Sequence, residues 1–326
     1  VSVIAENLTI PWDIAFLPSG EMLVTERPGR LVKIGADGVI SEIEVEGVRH
    51  IGEGGLLGMT LHPEFETNNF LYLYMTSPNA SGGTQNRVER YVFDGNRLSG
   101  REVIFDAIPG AIYHDGGRIE FGSDGFLYIT TGDATQENLA QDRDSLAGKI
   151  LRITENGEIP EGNPFGTAVY SMGHRNPQGL AWDGEGRLWS TEHGRSGVSS
   201  GFDEVNLIEP GKNYGWPEIQ GDETASGMQT PKLQSGATTT WAPASAAYLN
   251  GSLFFGGLRS ETLYEAVLAG ENVTELKEHF TGEFGRIRTV RLGPDGFLYL
   301  TTSNQDGRGG VSTGDDKIIR VNPDSL

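Results

Sequence analysis

Asp124-Gly125-Phe126-Leu127-Tyr128-Ile129 is a turn ending in glycine followed by a run of β-forming residues, and the phrase recurs along the chain. Earlier copies are Ser19-Gly20-Glu21-Met22-Leu23-Val24 and Asn68-Asn69-Phe70-Leu71-Tyr72-Leu73. Later ones are Asp183-Gly184-Glu185-Gly186-Arg187-Leu188-Trp189-Ser190, Asn250-Gly251-Ser252-Leu253-Phe254-Phe255 and Asp295-Gly296-Phe297-Leu298-Tyr299-Leu300. Each reads as a hairpin strand, and copies spaced by roughly 45 to 70 residues mark a radial repeat. The expected fold is all-β, a six-bladed β-propeller. A second phrase, Leu31-Val32-Lys33-Ile34, Lys149-Ile150-Leu151-Arg152-Ile153 and Lys317-Ile318-Ile319-Arg320-Val321, alternates apolar with basic residues and predicts outer, half-exposed strands.

The repeat runs through all 326 residues without a linker or a shift in composition, so one propeller domain over residues 1–326 is expected. Forty-seven glycines suit a chain dense in tight turns. Only Asp142 to Lys149 reads as briefly helical. Glu42 to Glu46 reads as a strand with one solvated face, and Trp12, Trp182, Trp189, Trp216 and Trp241 read as blade packing.

A net charge of −20 argues against nucleic acid and anionic membrane as partners, because phosphate binding requires clustered Lys and Arg. A small neutral ligand or a metal fits better. No apolar run approaches the roughly 20 residues of an integral membrane segment. The absence of cysteine removes disulfides, thiolate catalysis and Cys-based zinc sites together. A first residue other than Met suggests a removed targeting segment, hence a periplasmic or secreted protein.

Propellers carry their working residues on loops at one end of the channel. Three loops attract attention: Ile112-Tyr113-His114-Asp115-Gly116-Gly117-Arg118, Gly173-His174-Arg175-Asn176-Pro177-Gln178-Gly179 and Gly285-Arg286-Ile287-Arg288. His114 has the chemistry of a general base, with Asp133 a candidate to fix its tautomer; a solvated or packing histidine is the plainer alternative. Arg175, Arg259, Arg286 and Arg288 stand near loop ends and together suit a carboxylate-rich ligand, although singly each reads as an ordinary ion pair. Around Thr191-Glu192-His193-Gly194-Arg195, Asp203-Glu204 and Asn213-Tyr214-Gly215-Trp216-Pro217, carboxylates and carbonyls offer hard oxygen ligands; an acidic surface loop is the other reading. Gly52-Glu53-Gly54-Gly55-Leu56-Leu57-Gly58 has the wrong spacing for a dinucleotide fingerprint, and NAD is rejected.

These loops, with Asn304-Gln305-Asp306-Gly307-Arg308-Gly309, resemble in order those of the soluble pyrroloquinoline quinone (PQQ)-dependent dehydrogenases, especially their aldose sugar dehydrogenase branch. The resemblance implies His114 as base, Asp133 as its orienting partner and Glu53 near the substrate. It implies PQQ held by Arg175, Asn176, Arg259, Arg286 and Arg288, with Thr240 and His193 beside it. It further implies calcium on the carbonyls of Gly194 and Arg195, and a second, structural calcium on Glu204 and Tyr214. Tyr113, Glu53, His193, Arg259 and Arg195 depart from the glucose dehydrogenase branch, where Asp, Gln, Gln, Lys and Pro stand, so a broad aldose range is expected. The implied reaction is oxidation of an aldose at C1 to its lactone, with hydride passing to calcium-activated PQQ and a separate electron acceptor completing the cycle. A calcium-dependent propeller lactonase or hydrolase, and a propeller that only binds a protein partner, are the alternatives.

Overall fold

The computed structural model describes residues 1–197 and 200–326, and in it six four-stranded antiparallel sheets follow one another along the chain. The blades begin with inner strands Pro11–Phe16, Leu56–Leu61, Ile119–Phe121, Pro177–Trp182, Pro243–Leu249 and Ile287–Leu292. Every copy of the repeated phrase becomes the second strand of its blade: Met22–Glu26, Phe70–Pro78, Leu127–Thr131, Leu188–Glu192, Ser252–Gly257 and Leu298–Thr302. The six-bladed β-propeller expected from the repeat is therefore the fold observed. Blade six is completed by the N-terminal strand Ser2–Ala5, which pairs antiparallel with Ile318–Val321, Ser2 standing opposite Arg320.

Alternation along the second strands feeds two cores at once. Leu127 and Ile129 join blade two's Tyr72, Val88 and Ile108, whereas Tyr128 turns the other way to Leu180, Leu188 and Ile208 of blade four. Six such clusters fill the six junctions between blades. A Leu127→Ala change would empty part of one and cost about 2–5 kcal/mol.

The same stacking corrects the reading of the basic-alternating phrases. Arg30–Gly35, Lys149–Ile153 and Ile318–Val321 are third strands, not outer ones, and Leu31, Val32, Ile34, Ile150 and Ile319 are buried because blades cover both faces and a fourth strand covers the edge. Gly38–Glu44 is the outer strand of blade one, with Glu42 and Glu44 exposed as expected. Asp142 to Lys149 is not helical. Asp142 Oδ1 accepts the Asp144 amide, Ser145 Oγ accepts that of Ala147, and Gly148 is left-handed at φ 66°. Such side chain–backbone bonds compete with a helix, and Lys149 Nζ draws in the carbonyls of Leu139, Ala140 and Ala147 at 2.6–3.0 Å. The short helical turns lie instead at Phe65–Asn68, Glu137–Ala140 and Pro323–Ser325.

Five of the six inner strands slip register near their first residues. The slips lie between Pro11 and Asp13, Leu56 and Met59, Pro177 and Gly179, Pro243 and Ala246, and Ile287 and Thr289. A bulge re-aims the residue it holds. Trp12, Gln178 and Arg288 are such residues, and all three line one cavity at the end of the channel.

Candidate active site

Two kinds of loop build this end of the propeller: those entering an inner strand and those joining a second strand to a third. The first kind carries Glu53, His114, Arg175, Asn176, Thr240 and Arg286. The second carries Asp133, His193, Arg259 and Arg308. A cavity of about 500 Å3 is lined by Glu53, His114, His193, Gly194, Arg195, Thr240, Arg259, Arg286, Arg288 and Arg308 among others. A second, of about 640 Å3, adjoins it and shares His114, Arg195 and Ser196; Asp133, Arg175 and Trp216 line it. Both volumes suit a small molecule.

His114 adopts a left-handed backbone at φ 64°, which is uncommon for a residue with a side chain and persists only where neighbours over-determine it. They do so here. Its backbone N–H donates to Glu53 Oε2 at 3.0 Å, and its carbonyl accepts the Ala134 amide at 3.3 Å. That carbonyl lies so close to Gly132 that a Cβ there would approach it to 1.9 Å, so only glycine fits. The ring Nδ1 donates to Asp133 Oδ1 at 2.7 Å, which leaves Nε2 as the lone pair facing the cavity. Asp133 is buried and fully engaged: Oδ1 also accepts the Thr135 amide at 2.8 Å, and Oδ2 accepts the Trp216 indole N–H at 2.9 Å.

Burial by itself would raise the Glu53 carboxyl, but the His114 amide, His193 and Arg308 hold it down at about 2. Its Oε1 accepts Arg308 Nη1 at 2.7 Å, and Arg308 in turn lies 5.5 Å over the Tyr113 ring. His193 is pushed to about 3, chiefly by burial and further by Arg288 and Arg175, so the ring is neutral. Its Nε2 is buried without a partner.

The arginines divide by their partners. Deep in the channel Asp13 is clamped by Arg118 Nη1 at 2.5 Å and by Arg291 at 3.0 Å, and these cations keep its carboxyl low against the burial that would raise it. Arg286 is likewise paired, to Asp306 at 2.8 Å, with Nη1 on the Leu258 carbonyl. Arg175, Arg259 and Arg288 form no ion pair among the described residues. Arg288 donates to Gln178 Oε1 at 2.5 Å while its Nε is orphaned; burial, with Arg27 and Arg286 nearby, pushes it down to about 9. Arg175 donates to Ser196 Oγ at 2.8 Å and leaves Nη1 unmet. A buried unpaired guanidinium is costly, and such orphaned donors point to an anionic ligand.

The expected residues thus converge, with differences of position. Arg175 lines the second cavity rather than the first. Asn176 is wholly buried behind the wall, its Oδ1 accepting the Gly116 amide at 3.0 Å. Thr240 donates to Ser200 Oγ at 2.9 Å beside Gly194 and Arg195. Glu204 and Tyr214 border a separate small void with Glu192 and Gln220. There burial and the neighbouring Glu192 carboxylate raise the Glu204 carboxyl, and Gln220 Oε1 is orphaned, so an oxygen-seeking cation fits the donor set. No group of three or more His, Cys, Asp or Glu placed to hold a metal ion gathers among the described residues, at this void or beyond it.

Sequence reasoning missed Trp12, Gln178, Trp216 and Arg308. Trp12 and Trp216 are not simply blade packing: Trp12 floors the cavity under Arg118 and Arg288, and Trp216 bonds Asp133. The place of Gln178, Trp216 and Arg308 in the loop phrases is visible in the sequence, but partners 83 and 255 residues away are not.

Against known proteins, residues 8–312 match the family described as Glucose / Sorbosone dehydrogenase. The chain is 33% identical to the aldose sugar dehydrogenase YliI of Escherichia coli over 99% of this chain and 92% of that one. It is 30% identical to quinoprotein glucose dehydrogenase B of Acinetobacter calcoaceticus over 69% of this chain and 54% of that one. Among solved structures, the PQQ-bound form of an aldose sugar dehydrogenase from Streptomyces coelicolor superposes with a TM-score of 0.91 at 42% identity, covering 98% of this chain and 96% of that one. Matched from its first blade to its last, this chain belongs to the Glucose / Sorbosone dehydrogenase family.

Proposed function

We propose that the protein is a PQQ-dependent aldose sugar dehydrogenase that oxidises aldoses at C1 to lactones. One observation carries this reading: a histidine with a free Nε2, oriented by a buried carboxylate, faces the space onto which Arg259 and Arg288 open without carboxylate partners. The named relatives support it, being aldose sugar and quinoprotein glucose dehydrogenases.

Bound PQQ would supply the two-electron acceptor for the hydride leaving C1, and calcium a Lewis acid at its reacting carbonyl. The remaining work falls to this chain. Arg286, Arg288 and Arg259, with Arg175 and Asn176 behind them, would hold the carboxylates, and Thr240 and neutral His193 would offer hydrogen bonds that carry no competing charge. The carbonyls of Gly194 and Arg195 would ligate the ion, and Glu204 and Tyr214 a structural one. His114 Nε2 removes the proton from the C1 hydroxyl, Asp133 stabilises the imidazolium that results, and Glu53 accepts hydrogen bonds from the sugar. A lactonase would require side-chain carboxylates gathered about a metal in the channel, and Asp13 is already committed to two arginines. No helix is long and apolar enough to cross a membrane, and a periplasmic or secreted location fits the reading.

The test is to add PQQ and calcium to the purified chain and follow dye reduction with a panel of aldoses. Turnover dependent on both additions is expected. No turnover of any sugar, with no change in the cofactor's absorption spectrum, would overturn the assignment.

A further inference from the structure

Trp216 occupies an unusual position. It is half-buried, lines the second cavity with His114, and its indole N–H donates to the Asp133 oxygen that His114 does not use, at 2.9 Å. Asp133 thereby has both oxygens engaged, and the indole and the imidazole each hold one of them. Trp216 is fixed from behind: its amide donates to the Gly173 carbonyl at 2.9 Å, and its carbonyl accepts Gln141 Nε2 at 2.6 Å. Gln141 is locked in turn by a reciprocal pair with Asn213, at 3.1 and 2.7 Å. The Arg175 guanidinium lies 5.3 Å from the centre of the Trp216 ring.

We infer that Trp216 is a positioning residue for the base, an inference that rests on the function proposed above. The chain Gln141–Trp216–Asp133–His114 turns the carboxylate so that one oxygen meets Nδ1, and the indole N–H withdraws charge from the other. A carboxylate without that donor can rotate, and it attracts the imidazolium more strongly. The result is a base held in one orientation. Packing alone would make no use of the N–H, because a phenyl ring fills most of the same space and keeps the contact with Arg175.

The deciding variant is Trp216→Phe. Outer partners that fix a ligand histidine's orientation are worth about 10- to 100-fold where they have been measured. The expectation is about a tenfold lower kcat with KM changed less than twofold. In the Asp133→Asn background the same change should cost nothing further, because the indole acts through that carboxylate. The other charged or titratable groups facing the pair are Glu53, Asp115, Glu137, Arg175, His193 and Arg195, and both variants retain them. Proton NMR of the cofactor-free protein gives a readout independent of turnover: the hydrogen-bonded Nδ1–H resonance of His114 should move or broaden in Trp216→Phe relative to the parent. If Trp216→Phe does not fold, Gln141→Leu, which frees the Trp216 carbonyl, carries the same expectations at smaller size. An unchanged His114 Nδ1–H resonance with losses fully additive to those of Asp133→Asn would overturn the inference. Absence of sugar turnover in the parent would instead refute the proposed function and leave the NMR result to decide the role of Trp216.

Discussion

Two histidine–carboxylate pairs lie on neighbouring blades with almost the same geometry, His114–Asp133 at 2.7 Å and His174–Glu192 at 2.8 Å. Only the first has a free end. His174 is fully buried, its Nε2 is satisfied by Ser171 Oγ at 2.8 Å, and its ring stacks on Tyr214 with centroids 4.8 Å apart. Glu192 adds the Arg175 amide as a further donor. No described residue bonds His114 Nε2, and that side chain keeps 15% of its surface exposed. The difference teaches that a carboxylate beside an imidazole is not evidence of catalysis; what matters is whether the far nitrogen is spent inside the protein.

The largest effect should separate the two pairs outright. His114→Ala is expected to lower kcat by about 10²–10⁴ while the unfolding midpoint moves little. His174→Gln should do the reverse, changing kcat less than about threefold and losing about 1–3 kcat-independent kcal/mol of stability as Ser171 and Glu192 lose their partner. Dye-reduction kinetics and denaturant titrations on both variants settle it; a dead His174→Gln that melts normally would break the contrast. Next in size, Asp133→Asn should cost about 10- to 100-fold in kcat through loss of orientation.

The contrast between sealed and open groups holds for the arginines too. Removing Arg118 would leave Asp13 to Arg291 alone and destabilise the protein by up to about 3–5 kcal/mol. Arg288→Met should instead raise the unfolding midpoint of the cofactor-free protein, since an unpaired buried cation is removed, and weaken PQQ binding about 10- to 100-fold, as the loss of a charge-assisted hydrogen bond implies. Spectroscopic titration with PQQ measures the second. The smallest effect concerns Glu53. Its carboxyl is held at about 2 in the folded chain, below its ordinary 4.5, so the stability it contributes is present above about pH 4.5 and is lost as pH falls toward 2. In Glu53→Gln that acid-side loss should shrink, which urea midpoints at pH 5 and pH 3 would reveal.

Much of this was legible in the chain. Turn-plus-strand phrases marked six second strands because a hairpin's turn and its alternation are local. The burial of the third strands was not, because Leu31 and Ile150 are covered by other blades rather than by their own. Loop motifs brought His114, Arg286 and Arg288 to attention, and the structure puts them around one cavity. What escaped was anything set by bulges or by long reach. A register slip aims Trp12 and Gln178 at the cavity, and no residue type announces it. The same holds for the bond from Trp216 to Asp133, and for the Arg308–Glu53 pair that joins blade six to the loop before blade two.

The pairing of Ser2–Ala5 with Ile318–Val321 sets a timetable for synthesis. Blades one to five are each built from contiguous chain and can assemble as they emerge from the ribosome, but the sixth must wait until Ile287–Val321 has followed Ser2–Ala5. Until that closure Arg286 and Arg288 have no finished blade to stand on, so a nascent or C-terminally truncated chain would carry the base yet lack two of the arginines proposed to hold an anionic cofactor.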